Sequence, residues 1–106
     1  MFKVMFTFRK LESLAWEEFR SHARDKHGPL VAQLPELRRY VQTLATEESA
    51  ADAPFDGIAE VWYDDEESYE RSFESSIGQA VIADAANYAD PASERAIKVE
   101  EVATFP

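Results

Sequence analysis

From residue 2 to residue 9 the chain alternates, with Phe2, Val4, Phe6 and Phe8 at the even positions and Lys3, Met5, Thr7 and Arg9 at the odd ones. Successive side chains of an extended strand point to opposite faces, so this pattern predicts a half-buried strand with its Phe/Val face in the core. The period then changes. At 100° per residue, Trp16, Phe19, Ala23, His27 and Leu30 fall within about an 80° sector of a helix, while Glu17, Arg24 and Asp25 point elsewhere. Ser13 is a candidate N-cap, and Glu17 and Glu18 suit the first turn of a helix dipole. Gly28 and Pro29 predict an end or a kink at His27, followed by a short turn, LVAQL, that leads to Pro35.

Residues 37–44 (LRRYVQTL) and 57–63 (GIAEVWY) read as two further strands. Between them lies an acidic, alanine-rich stretch, 46–56, with Pro54 and Asp56-Gly57 as turn signals of a hairpin loop. Asp64 or Asp65 caps a second helical region, DEESYERSFES, that sets Tyr69 and Phe73 on one side. Gly78 interrupts it, a further helix runs through QAVIADAANYAD to Pro91, and residues 95–103 supply a last strand. The order is βαββαβ. It predicts one α+β domain over 1–106, a ferredoxin-like fold whose four-stranded antiparallel sheet carries its helices on one face.

Such a sheet leaves its other face uncovered. With Phe2, Val4, Phe6 and Phe8 facing the helices, that second face is expected to hold Met5 and Thr7, then Arg38, Tyr40 and Gln42, then Ile58, Glu60 and Trp62. The mixture is too apolar for a fully wetted face and too polar for a dry core. It suits an interface with a second copy of the chain that leaves a semi-polar pocket between sheet and helix ends.

Composition narrows the classes of function. At 106 residues there is room for one core, burying roughly two thirds of the unfolded surface. With 21 acidic against 11 basic residues the formal charge is -10, which disfavours nucleic acid and anionic membrane as partners. The opening MFKVMFTFRK is too short and too interrupted for a signal core or a spanning helix, so a cytoplasmic location is expected. There is no cysteine, which excludes disulfides, thiolate nucleophiles and cysteine-ligated metals.

His27 is the leading candidate for chemistry, because an imidazole titrates near neutrality and can act as general base or acid. A structural role is equally concrete, since a histidine ending a helix is favoured by the dipole by about 0.3–1 kcal/mol. Tyr40 could orient a substrate oxygen and Trp62 could form an apolar wall, although strand aromatics also serve packing. His22 lies five residues before His27, about 140° away on a regular helix, so the two do not chelate one metal and His22 is expected to be an exposed polar residue. Asp64, Asp65, Glu66 and Glu67 are explained as cap and dipole partners. Asn87 and Asp90 could reach a pocket or end a helix. The three glycines do not form a phosphate loop, and no nucleophile elbow marks a Ser-His-Asp set.

The run FRKLESLAWEEFRSHARDKHGPLVAQLPELRRYV resembles the EthD-type family of dimeric α+β barrel proteins. Phe8, Arg9, Lys10, His27, Pro29, Leu30, Pro35, Leu37 and Tyr40 follow that family's order, a strand ending in Phe-x-Arg/Lys, then His-x-Pro-Leu, then Pro-x-Leu-x-x-Tyr. DGIAEVWYDD and SSIGQAVIADAANYAD resemble its third strand and closing helix, the latter with Asn87, Tyr88 and Asp90 near its end. Relatives often carry Tyr-Trp shortly before the motif histidine, where this chain has His22 and Ala23; a smaller side chain there would enlarge a pocket.

The resemblance implies a homodimer and a role in small-molecule metabolism, with oxidoreductase as the family's general label. The wider superfamily holds isomerases, cyclases, cofactor-free monooxygenases and haem-binding enzymes, and a shared fold does not choose among them. The expected ligand is a hydrophobic or aromatic metabolite, handled without a cofactor by proton transfer, isomerisation, cyclisation or cofactor-free oxidation. His27 would carry the proton and Tyr40 orient an oxygen, with Met5, Trp16, Phe19, Trp62 and Asn87 contacting the substrate. A non-catalytic ligand-binding accessory to a catabolic oxygenase and a haem protein using His27 are the competing readings.

Overall fold

A computed structural model describes residues 1–106. The strands are β1 (Phe2–Phe8), β2 (Arg39–Leu44), β3 (Gly57–Tyr63) and β4 (Arg95–Val99), in one sheet of order β2-β3-β1-β4 with every pairing antiparallel. The helices are α1 (Trp16–His22), α2 (Gly28–Val31), α3 (Glu47–Ala50), α4 (Glu66–Glu74) and α5 (Ser76–Ala85). This is the expected ferredoxin-like βαββαβ arrangement. No helix is long and apolar enough to cross a membrane.

Residues directly opposite in an antiparallel ladder share a face. Phe2, Val4, Phe6 and Phe8 pair with Tyr63, Val61, Ala59 and Gly57, and these form the helix-covered side. Phe8 packs with Phe19, Ala23, Tyr88 and Ala89, while Val4, Val61 and Tyr63 meet Tyr69 and Phe73 of α4. A third cluster joins Val31 and Leu34 to Val81 of α5. Gly57 is required where it stands, because a Cβ there would lie 2.6 Å from the Phe8 ring.

The faces of β2 are exchanged relative to the sequence expectation. Tyr40 pairs with Val61 and Gln42 with Ala59, so both point toward the helices. Arg39, Val41 and Thr43 share the open face with Ile58, Glu60 and Trp62, and Arg38 lies before the strand, paired with Asp64 at 2.7 Å. Each side of β2 carries apolar residues, Tyr40 and Leu44 on one and Val41 on the other, so alternation alone does not orient it; pairing to β3 does.

The first helix also departs from expectation. It begins after Ala15, whose N–H donates to the Glu18 carboxylate at 2.8 Å, and Ser13 is not the cap. It does not end at His27. Ala23–His27 form a π-helical turn, with the Gly28 N–H donating to Ala23 O, and α2 continues through Gly28 and Pro29. Pro29 has no N–H to give and its ring would crowd the carbonyl four residues earlier, so a widened turn accommodates it. Gln42 Nε2 reaches the same Ala23 carbonyl at 2.6 Å.

Smaller corrections follow from capping. Residues 46–56 include the helical turn α3, capped by Thr46 and tied down by Arg9 Nη2 donating to Ala53 O at 2.7 Å. Asp65 caps α4, accepting from Ser68 N–H at 2.8 Å. The break between α4 and α5 is at Ser75, whose Oγ accepts from Gly78 N–H at 3.1 Å, so Gly78 lies inside α5. That helix ends at Ala85, and the last strand is shorter than expected, ending at Val99.

Candidate functional site

A cavity of about 370 Å³ lies between the helix-covered face of the sheet and the helices. Its walls come from Phe6 and Phe8 of β1, Ala59 and Val61 of β3, Tyr69 and Phe73 of α4, and Val81, Ile82 and Ala85 of α5. Thirteen of the 15 lining residues are hydrophobic, and none is Lys or Arg. A buried carboxylate would therefore find no cation there, and losing its hydration would cost several kcal/mol. The lining residues that carry a polar side-chain group are few: His27, Glu94, Tyr40, Tyr69 and Tyr88.

His27 comes to this cavity from the π turn and is 6% exposed. Its Nδ1 lies 2.8 Å from Asp84 Oδ2 on α5. A carboxylate can only accept, so Nδ1 carries the proton and Nε2 keeps the lone pair. Nε2 has no hydrogen-bond partner, yet no sealed side-chain nitrogen or oxygen lacks one. The free edge of the ring therefore has open space beside it, and His27 is a wall of the cavity. Burial is the largest influence on the ring and holds its pKa below the ordinary 6.5, against the opposing pull of Asp84.

Asp84 is shared. His22 Nε2 lies 3.1 and 3.0 Å from its two oxygens, and Asn87 Nδ2 donates to Oδ1 at 3.1 Å. Burial pushes the carboxyl upward, but the donors Asn87, His22 and His27 together hold it below 3.8. His22 is thus no exposed polar residue. The expected separation from His27 assumed a regular helix; a π turn closes over five residues, which brings 22 and 27 to one side. Tyr88 braces both rings, stacked on His22 at 5.2 Å and tilted against His27 at 4.8 Å between centroids.

Tyr40 faces this cavity because of the exchanged faces of β2. Burial pushes its hydroxyl up to about 12, so it stays protonated at neutral pH. Its oxygen accepts from Gln42 Nε2 at 2.8 Å, which leaves its own proton free to donate. Burial likewise raises Tyr88 well above the usual phenol range. Glu94 stands at the rim, open on one side, and crowding by the cavity wall raises its carboxyl.

The other candidates disperse. Asn87 reaches the site indirectly, through Asp84. Phe19 is fully buried behind Phe8 and Tyr88. Trp16 packs on Phe19 but lines a separate depression of about 260 Å³ with Arg20, Arg24 and Gln42. Met5 and Trp62 lie on the open face of the sheet, across from the cavity. There Trp62 is flanked by Lys3 at 4.4 Å and Arg39 at 4.7 Å, and its Nε1 donates to Glu101 at 2.6 Å.

Sequence reasoning passed over Asp84 and Glu94 and gave Tyr88 no role of its own. A usable signal existed. Ile77, Val81, Asp84, Ala85 and Tyr88 recur at three- and four-residue spacing, so Asp84 sits on the apolar stripe of α5, where a carboxylate needs a partner.

The EthD domain model matches residues 11–92 of the chain. No curated protein matches it. Among solved structures, an ethyl tert-butyl ether d (ethd) family protein from Bacillus halodurans C-125 is similar, with a TM-score of 0.78 and 24% identity over 96% of this chain and 100% of that one. A dimeric ferredoxin-like protein from Thermobifida fusca YX gives 0.72 and 17%, covering 92% and 88%. SnoaB, a cofactor-independent oxygenase from Streptomyces nogalater, gives 0.66 and 15%, covering 98% and 97%. At these identities the likeness is one of fold.

Proposed function

The chain belongs to the EthD domain family, and from that premise we propose that it is a small-molecule enzyme whose reaction begins with removal of a proton from an uncharged aromatic substrate held in the cavity. The observation that carries this reading is the free Nε2 of His27, backed at Nδ1 by Asp84 and open to an almost wholly apolar chamber. An oriented imidazole with a carboxylate behind it is a general base, and the carboxylate stabilises the imidazolium that forms. The cofactor-independent oxygenase SnoaB, similar in fold, supports a reaction without a bound cofactor.

The substrate is a hydroxylated or carbonyl-bearing ring system with an acidic C–H or O–H. Nε2 takes that proton, and the electron pair moves onto the substrate oxygen as an enolate or phenolate. Tyr40, kept as a hydroxyl and with its proton uncommitted, donates to that oxygen. A chamber of about 370 Å³ is at the small end for ligand sites and suits a compound of two or three rings. Return of the proton elsewhere gives isomerisation, and attack by the enolate carbon on a carbonyl of the same molecule gives cyclisation.

The open sheet face supports self-association. Ile97 is 49% exposed beside Met5 on that face, and the Thermobifida protein of similar fold is dimeric. A second copy would cover the apolar positions without blocking the cavity on the other side of the sheet.

The test is exchange of substrate hydrogen for deuterium in heavy water, followed by NMR on a panel of uncharged bicyclic ketones and phenols that includes 2-tetralone. Accelerated exchange that His27→Gln lowers by about 10²-fold or more is the expected result. Exchange at the wild-type rate in His27→Gln, or none across the panel, overturns the proposal; binding without exchange leaves a ligand-binding accessory protein.

A further inference from the structure

His27 and His22 approach one carboxylate from two sides, and only His27 faces the cavity. We propose that His22 is a tuning residue for the base: because both rings share Asp84, a proton on His22 opposes a proton on His27, and the cavity-facing Nε2 stays free to lower pH than it would alone. The inference rests on His27 being the base proposed above, and adds a residue that never touches the substrate.

Three features support it. Asp84 is held in its anionic form and accepts from both sides, so His22 Nε2 and His27 Nδ1 are both donors to it. The rings are coupled through charge. The first added proton forms an ion pair with Asp84, and a second would place two cations around one anion. Position separates the rings, since the His22 side chain keeps more than twice the exposure of His27, 17% against 7%. Tyr88, in contact with both rings, fixes their spacing.

The surroundings bring no other charge to bear on His27. From α5 and the turn that follows it the neighbouring groups are Asp84, Asn87 and Tyr88, and α1 supplies His22. Strand β2 contributes the neutral Tyr40 hydroxyl, β1 contributes Phe6 and Phe8, and α2 contributes Val31. Glu94 is at the cavity rim. The charges that act on the His27 pKa are Asp84, which raises it, and His22, which lowers it.

With two histidines in the chain, proton NMR of the imidazole Cε1–H resonances follows each ring without a ligand. In the wild type the His27 midpoint should lie below the ordinary 6.5. In His22→Gln, which keeps an N–H donor for Asp84, that midpoint should be higher by about half a unit or more. The acid limb of the exchange rate should move to higher pH by the same amount. A structural role alone would leave the midpoint in place. A His27 midpoint in His22→Gln within 0.1 of wild type overturns the proposal. Loss of the base is read separately, from His27→Gln, so either reading can fail without the other.

Discussion

The two faces of the sheet are built from the same alternating strands and hold opposite solutions to the problem of polar groups. On the helix-covered face a few polar groups are set into apolar walls and held from one side, His27 and His22 by Asp84 and Gln42 by Tyr40 and Ala23 O, while His27 Nε2 and the Tyr40 proton stay free. On the open face polar groups meet one another in a surface web, with Lys3 bonded to Glu60 at 2.8 Å and Lys3, Arg39 and Glu101 gathered on Trp62. Isolation in a dry wall shifts ionisation and gives a group chemical use. Mutual pairing near water makes a surface fit for contact.

The largest difference between the faces should be in stability. Phe19→Ala empties a fully buried site between Phe8 and Tyr88 and should cost about 3–5 kcal/mol in urea unfolding. Ile97→Ala on the open face should cost under about 1 kcal/mol at a protein concentration low enough to keep the chain monomeric. Similar losses at the two positions would erase the distinction.

The open face should dominate in assembly instead. Ile97→Asp places a charge at the exposed apolar position of the edge strand β4 on that face and should weaken self-association by about tenfold or more, read by sedimentation. His27→Gln, on the covered side, should leave it unchanged.

Much of this division is legible in the sequence, and the illegible parts share a cause. Phe2 to Phe8 declare their face because four of their five apolar residues share one parity, with only Met5 on the other. Strand β2 does not, because Tyr40 and Leu44 on one side balance Val41 on the other, and only the ladder to β3 decides. Gly28-Pro29 reads as a helix stop from local rules; that the chain absorbs the proline in a π turn depends on Gln42, distant in sequence, reaching the Ala23 carbonyl. The cavity suffered from both. With β2 turned over, Tyr40 joins it, and with the π turn in place His22 meets Asp84. Asp84 itself looks like a solvated acid in an alanine-rich helix until its partners are known.

Acid should separate the faces next. His27 has a lowered pKa in the fold, so between 6.5 and that lower value the unfolded chain binds more protons and stability falls as pH falls. Asp84 acts further down, contributing stability above 3.8 that is lost as pH drops through its depressed folded value. The wild type should therefore weaken below pH 6.5 more steeply than His27→Gln, with the difference seen in urea midpoints across pH 7 to 5. Parallel curves would mean that the covered face does not withhold a proton from His27.

Salt should produce the smallest effect and mark the open face. Glu60→Gln removes the partner of a Lys3 side chain that is 11% exposed but leaves the ammonium over Trp62, so its cost at low salt should be about 1 kcal/mol. Lys3→Gln removes the ion pair and the cation–π contact together and should cost about twice as much. The Lys3 and Glu60 side chains keep 11% and 19% exposure, so both costs should shrink only in part toward 1 M salt, where the screening length falls to about 3 Å. The His27 side chain is 7% exposed, and its hydrogen bond to Asp84 should resist the same salt better, leaving the His27 titration midpoint less displaced. If salt displaced that midpoint as readily as it weakened the Lys3 pair, the two faces would be equally wet, and His27 would lack the dry setting its proposed chemistry requires.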